Sequence, residues 1–261
     1  MATAVTADGT ELHYERTGAG APVLLVMGLG MNATGWWRTI PVLAERLTVV
    51  AFDNRGAGRS AVPDGPYSTE LLADDAMAVL DAAGIDRAHV YGISLGGMVA
   101  QQIALRHPDR VDRLVLGATT AGGEDHVAAD EDVLRLVGAR GTLTAEQAVW
   151  GSVPINYAQR TRANDGQRIA EDVAQRLRHP ITGPGYGAQL AAAMNHATDP
   201  AAIAVPTLVV HGEEDVLIPP ENGRRLAERI PGAKLSLWPE TAHLYPTDEP
   251  AADLAILDFL S

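Results

Sequence analysis

The chain has 261 residues, 46% of them hydrophobic and 20% charged, with a formal net charge of −13. That length can bury one large core, and the acidic balance argues against nucleic acid or an anionic membrane surface as a partner. Cysteine is absent, which excludes disulfides, thiolate metal sites and a cysteine nucleophile together.

In chain order, residues 3–7 and 11–16 alternate apolar and polar positions around Asp8-Gly9, a hairpin signal. The opening residues carry neither a basic region nor a long apolar run, so they do not read as a signal peptide. No window approaches the ~18 apolar residues of a membrane span, and a cytoplasmic location is the expectation. The continuous apolar run over 22–27 predicts a strand buried on both faces. It opens into the loop Gly28-Leu29-Gly30-Met31-Asn32, and a helix is expected over about 35–46. Asn32-Ala33-Thr34 matches a glycosylation sequon, read as accidental in a chain that is not secreted. Residues 48–52 form the next buried strand, followed by the loop from Asp53 to Ser60. Ser68 or Thr69 then caps a helix that reaches Ala83 and stops at Gly84.

A short strand at 88–91 runs into Gly92-Ile93-Ser94-Leu95-Gly96, and a helix with small residues follows at once. This is the G-x-S-x-G pattern in its strand, sharp turn and helix context. A turn this tight strains the backbone at Ser94, and bulk at Gly92 or Gly96 would strike neighbouring backbone. The hydroxyl is then projected above the sheet beside a helix N-terminus, where N–H groups can receive developing negative charge.

The nucleophile helix ends near His107-Pro108, and 111–117 is another strand. Residues 121–199 carry mostly helical periodicity, with glycine and proline interruptions. Strands return at 206–212 and 234–237, with a helix from about Pro220 between them and a closing helix over 249–260. Short buried strands alternating with helices predict an α/β domain with a mostly parallel sheet. Residues 1–120 and 200–261 are its core, and 121–199 is a helical cap inserted above Ser94.

A serine nucleophile needs a base, and the base needs a carboxylate that fixes its tautomer. In a parallel sheet the useful residues sit beyond the C-terminal strand ends, which prunes the eight histidines. His13 lies in the leading hairpin, His89 at the wrong end of its strand, and His107 at a helix C-terminus. His126 and His179 sit among polar residues and read as solvated, His211 as packed and hydrogen-bonded, and His196 as a weak candidate for a pocket contact. His243 hangs over the strand ends, between the last strand and the closing helix. Three carboxylates follow the strand at 206–212. Asp215 is deepest in the loop, before the shielding run Val216-Leu217-Ile218, whereas Glu213 and Glu214 read as facing solvent.

Over essentially its whole length the chain resembles α/β-hydrolase fold enzymes, in particular small bacterial ester and lactone hydrolases. The residues that carry the resemblance are Gly28-Leu29-Gly30, Asp53 through Ser60, Gly92 through Gly97, His211 through Asp215 with Ile218-Pro219, and Thr241-Ala242-His243. It implies a mostly parallel sheet of about eight strands flanked by helices, with Ser94 as nucleophile, His243 as base and Asp215 as its orienter. It also implies an oxyanion site built from the backbone N–H groups of Leu29 and Leu95. One departure stands out: Met27 precedes Gly28 where the family often has histidine, which leaves open how that loop is braced. The Asp53–Ser60 loop reads as a braced turn.

Substrate contacts are expected from Asn32, Trp36, Met98, Val216 and Leu244 on the core side, and from Trp150, Tyr157, Tyr186 and Met194 in the cap. No buried arginine converges on the site in the sequence, so a small, largely apolar and neutral substrate is expected. The leading function is hydrolysis of a carboxylic ester or lactone through an acyl-enzyme. Carbon–carbon bond hydrolysis or perhydrolysis with the same triad is the alternative, and a ligand-binding or cyclase-like role is the third. Neither a phosphate loop, a dinucleotide fingerprint nor metal-ligand spacing is present, so no cofactor and no metal are expected.

Overall fold

The structure, a computed structural model, describes residues 2–261; Met1 lies outside the described residues. Among the described residues eight strands form one sheet: β1 (Ala2–Val5), β2 (Glu11–Gly18), β3 (Ala21–Val26), β4 (Leu47–Phe52), β5 (Ala88–Ile93), β6 (Val111–Gly117), β7 (Thr207–Gly212) and β8 (Lys234–Trp238). Their order is β1-β2-β4-β3-β5-β6-β7-β8. β1 and β2 pair antiparallel, as does β2 with β4, and every later pairing is parallel. β4, β5 and β7 are buried at every position, as central strands of a doubly covered sheet should be.

One face of the sheet packs under the helices Thr69–Ala82, Leu95–Arg106 and Glu221–Arg229, whose apolar sides meet Leu24, Val90 and Leu116. The other packs under Thr39–Leu43 and Ala251–Leu260, against Val23, Leu25 and Tyr91. The helix expected over 35–46 is broken. A 3-10 turn, Ala33–Trp36, starts early because Asn32 caps it by accepting from Thr34 N–H. Trp36 is driven into the core against Tyr91, with ring centroids 4.7 Å apart, and only Thr39–Leu43 is α-helical before the chain enters β4.

β3 has β4 on one side and β5 on the other, so the chain reverses its direction of progress across the sheet at β3. The loops leaving the C-terminal ends of β3 and β5 therefore diverge, and a crevice opens between them at the place where open α/β sheets bind ligands.

Between β6 and β7 the chain runs through helices from Glu131–Ala139 to Gly183–Met194. The two ends of this insertion meet: Gly122 bridges Ala197, and Thr198 N–H donates to Ala121 O at 3.0 Å. Among the described residues no helix is long and apolar enough to cross a membrane.

Candidate active site

Ser94 ends β5 and begins the helix Leu95–Arg106 with φ 59° and ψ −122°, a left-handed conformation held by its surroundings. Its N–H donates to Gly117 O, and its carbonyl accepts from Gly97 N–H, Met98 N–H and the Thr119 hydroxyl. The flanking glycines are demanded by backbone proximity. A Cβ on Gly92 would lie 2.0 Å from Gly96 O, and one on Gly96 would lie 1.9 Å from Val26 O. Helix and strand are thus pressed together, and the serine is thrown outward.

Asp215 follows β7 in a tight turn and is buried. Its Oδ1 accepts from the N–H groups of Leu217 and Ile218, both at 2.9 Å, and its Oδ2 accepts from His243 Nδ1 at 2.8 Å. His211, fully buried on β7, stands 3.4 Å from the same Oδ2 and donates from Nε2 to Ile218 O at 2.8 Å. Burial pushes the Asp215 carboxyl up, but His243 and His211 outweigh it and hold the group down at about 2. An anionic Asp215 fixes the proton of His243 on Nδ1, which leaves Nε2 able to accept another.

The His243 loop is itself tied down. Ala242 N–H donates to Asp248 Oδ2 at 2.8 Å, and Leu244 N–H donates to Asn156 O of the insertion at the same distance. Ser94 and His243 line one cavity of about 370 Å³, and among the described residues no hydrogen bond joins the two side chains. Nucleophile–base hydrogen bonds are often long before substrate arrives, so the separation is compatible with proton transfer in a complex.

Leu29 and Leu95 line the same cavity, and among the described residues neither backbone N–H has a protein acceptor. Gly28 lets the β3 loop approach closely, since a Cβ there would stand 3.0 Å from Ser94 Cβ. Three side chains brace this loop. Asn54 Nδ2 donates to Met27 O at 3.0 Å, and Asp53 Oδ1 accepts from Ala33 N–H at 2.8 Å. From the insertion, Gln189 Oε1 accepts from Gly30 N–H at 3.2 Å while its Nε2 donates to Arg55 O at 2.9 Å. Arg55 is in turn paired with buried Asp75 and with Asp8. The Asp53–Ser60 loop is therefore the footing of the β3 loop, and Met27 packs in the core beside it and lines the cavity that holds Ser94.

Of the expected contact residues, Met98, Met194 and Leu244 line the cavity. Six others are placed elsewhere among the described residues. Asn32 is occupied by Thr34 N–H and by His179 O. Trp36 faces Tyr91 and a smaller neighbouring hollow, and Tyr157 is packed in the core under the second face. Tyr186 donates its hydroxyl to Val137 O at 2.8 Å and stacks under Arg140, walling a side hollow. Trp150 and Val216 are each 47% exposed and turn to solvent. After Asp215 it is Leu217 and Ile218 that reach the cavity, because the turn that supplies their N–H groups to Asp215 also turns them inward.

His126 and His196 line the cavity too; His196 Nδ1 meets the Thr69 hydroxyl at 3.0 Å, and burial lowers its pKa to about 4. The expectation of a neutral site lacking arginine is overturned: Arg140 and Arg176 are both buried and both line the cavity. Arg176 was legible in principle. Ile169, Val173 and Arg176 follow helical spacing on one buried face, so the arginine continues an apolar stripe.

The sequence profile of the alpha/beta hydrolase fold matches residues 21–250. A relative from Caulobacter sp. (strain K31), provisionally named a carbamate hydrolase, RutD, is 34% identical, covering 98% of this chain and 97% of its own. The 2-hydroxymuconate semialdehyde hydrolase of Pseudomonas sp. (strain CF600) is also 34% identical, covering 98% and 93%. Among solved structures, the enol-lactonase from Burkholderia xenovorans LB400 superposes with a TM-score of 0.88 at 26% identity, over 99% of each chain.

Proposed function

The chain belongs to the alpha/beta hydrolase fold family and is a hydrolase, and from that premise we propose that it cleaves a carboxylic ester or lactone of a small substrate through an acyl-enzyme on Ser94. One observation carries the reading: a serine held at positive φ shares a cavity with His243, whose other ring nitrogen is bound to a buried carboxylate. Ser94 Oγ attacks the carbonyl carbon and its proton passes to His243 Nε2. The resulting oxyanion accepts hydrogen bonds from the N–H groups of Leu29 and Leu95. Collapse breaks the bond to the leaving oxygen, which takes the proton from His243. Water then attacks the acyl-enzyme with His243 again as base, releasing the acid and restoring Ser94. The helical insertion acts as a cap, carrying Arg140, Asn156, Arg176 and Met194 to the cavity.

A fluorophosphonate should label Ser94 stoichiometrically, and Ser94→Ala should lose both labelling and turnover of an activated ester. An alanine variant that keeps most of its activity removes the proposal.

The kinship with a 2-hydroxymuconate semialdehyde hydrolase favours a second reading, cleavage of a carbon–carbon bond next to a carbonyl with the same residues. Product analysis after incubation with a vinylogous diketone separates the two.

A further inference from the structure

Arg140 ends the first α-helix of the insertion and Arg176 ends a later one, yet both line the same cavity. Each residue is more than nine-tenths buried, at 8% and 6% exposed. Neither has a carboxylate partner among the described residues, although the chain pairs its other buried arginine, Arg55, with Asp75. Arg140 Nε and both Nε and Nη1 of Arg176 have no acceptor at all; Arg176 Nη2 alone meets the Ser152 hydroxyl, at 3.3 Å. Arg140 lies over the Tyr186 ring, 5.3 Å from its centroid, and a Cβ on Gly30 would stand 3.3 Å from its Nη2. It therefore borders the loop that presents Leu29 N–H.

Two unpaired cations buried side by side are costly, since each loses hydration and each repels the other. Burial lowers the Arg140 pKa, against the opposing Tyr186 and with the neighbouring Arg176, the direction expected of a cation lacking its counter-ion. Planar forks of N–H donors in such a place match the geometry of a carboxylate.

We propose that Arg140 and Arg176 together form a carboxylate subsite of the catalytic cavity, so that the substrate is an organic acid carrying a free carboxylate away from the bond that Ser94 attacks. The inference rests on the serine-hydrolase reading for the reaction but not for the binding. The remaining wall is apolar, with Leu29, Met98, Leu134, Val137 and Leu190 among its residues, which suits a hydrocarbon chain between the two ends.

The experiment has two arms. In the first, wild-type protein is offered 4-nitrophenyl esters of matched length whose acyl chains end in a carboxylate or in a methyl group. The ester carbonyl occupies the oxyanion site, so the free carboxylate must find another. The carboxylate ester should be preferred by tenfold or more in kcat/KM, and Arg140→Met and Arg176→Met should each reduce that ratio by about 10- to 100-fold. A preference for the methyl-ended esters, or a ratio unmoved in variants that still turn over ester, overturns the subsite. In the second arm, Ser94→Ala is melted with linear monocarboxylates from butanoate to octanoate and with the matching amides. Acids should raise Tm where amides do not, and equal shifts count against the proposal even if no arginine variant folds. Arginine-dependent binding without fluorophosphonate labelling of Ser94 leaves the subsite and removes the reaction; labelling without carboxylate preference does the reverse.

Discussion

Gln189 reaches back 159 positions along the chain to accept the Gly30 N–H, and with its other end it donates to Arg55 O. One buried amide from the insertion thus joins the β3 loop to the loop after β4. Removing it leaves Gly30 N–H and Arg55 O to find other partners and frees the segment that carries Leu29. Gln189→Leu should lower kcat on an activated ester by about 10- to 100-fold, the scale of loosening an oxyanion donor, with a smaller change in KM. Stability of the whole chain, read by thermal melting, should change far less than the rate. A variant with unaltered kcat would dismiss the bracing role.

Asp215 lies 2.8 Å from His243 Nδ1 and holds two further backbone donors. Asp215→Asn keeps the shape but offers no negative charge to the imidazolium that the proposed mechanism forms. Its turnover should fall by roughly 10⁴, as in other triads when the orienting aspartate loses its charge. Steady-state kinetics beside a circular dichroism melt would tell lost chemistry from a lost fold.

Asp253 is buried in the closing helix, with Thr39 donating to its Oδ2 at 2.8 Å and its Oδ1 lacking any partner. Burial pushes this carboxyl up to about 7, only partly opposed by the Thr39 bond. Because the folded value lies above the unfolded one, the native state keeps a proton that the unfolded chain has released. Stability from this group is therefore complete at acid pH and is lost as pH rises from about 4 to about 7. Asp253→Asn should melt higher than wild type at about pH 8, with the gap closing toward about pH 4.5. A gap of constant size across that range would show that Asp253 does not titrate there.

Trp150 is one of three large aromatic residues of the insertion that sequence patterning assigns to the pocket, and the fold turns it to solvent. Trp150→Ala should leave kcat/KM within about twofold, as surface substitutions generally do. Met98→Ala, by contrast, opens the cavity wall beside the nucleophile helix and should alter the preferred chain length of the ester.

What sequence reading recovers here follows from how each residue is positioned. Ser94, Asp215 and His243 each leave the C-terminal end of a strand within a few residues, so recognising the strand is enough to locate the side chain. The cap residues depend instead on how helices rotate against one another. Arg140 lies in a segment whose composition reads as surface, and it is set at the cavity beside Tyr186 and Gly30, whereas Arg176 continues the buried helical stripe of Ile169 and Val173. Val216, Leu217 and Ile218 differ by a single turn of backbone: the bonds from Leu217 and Ile218 N–H to Asp215 decide which of the three faces water. The bracing of the β3 loop by Gln189 joins residues far apart in the chain, and no local pattern announces it.

The ends of the insertion are hydrogen-bonded to each other at Gly122 and Ala197. A segment whose ends already touch adds little loop-closure entropy to the rest of the chain, and that cost grows only slowly with length. The sheet therefore tolerates insertions of different lengths and shapes at this point, and Ser94, Asp215 and His243, the proposed catalytic residues, can remain in place while the roof above them is exchanged. Selectivity can then be regrafted by transplanting the span from Gly122 to Ala197 as one piece, provided the donor brings an amide in the place of Gln189.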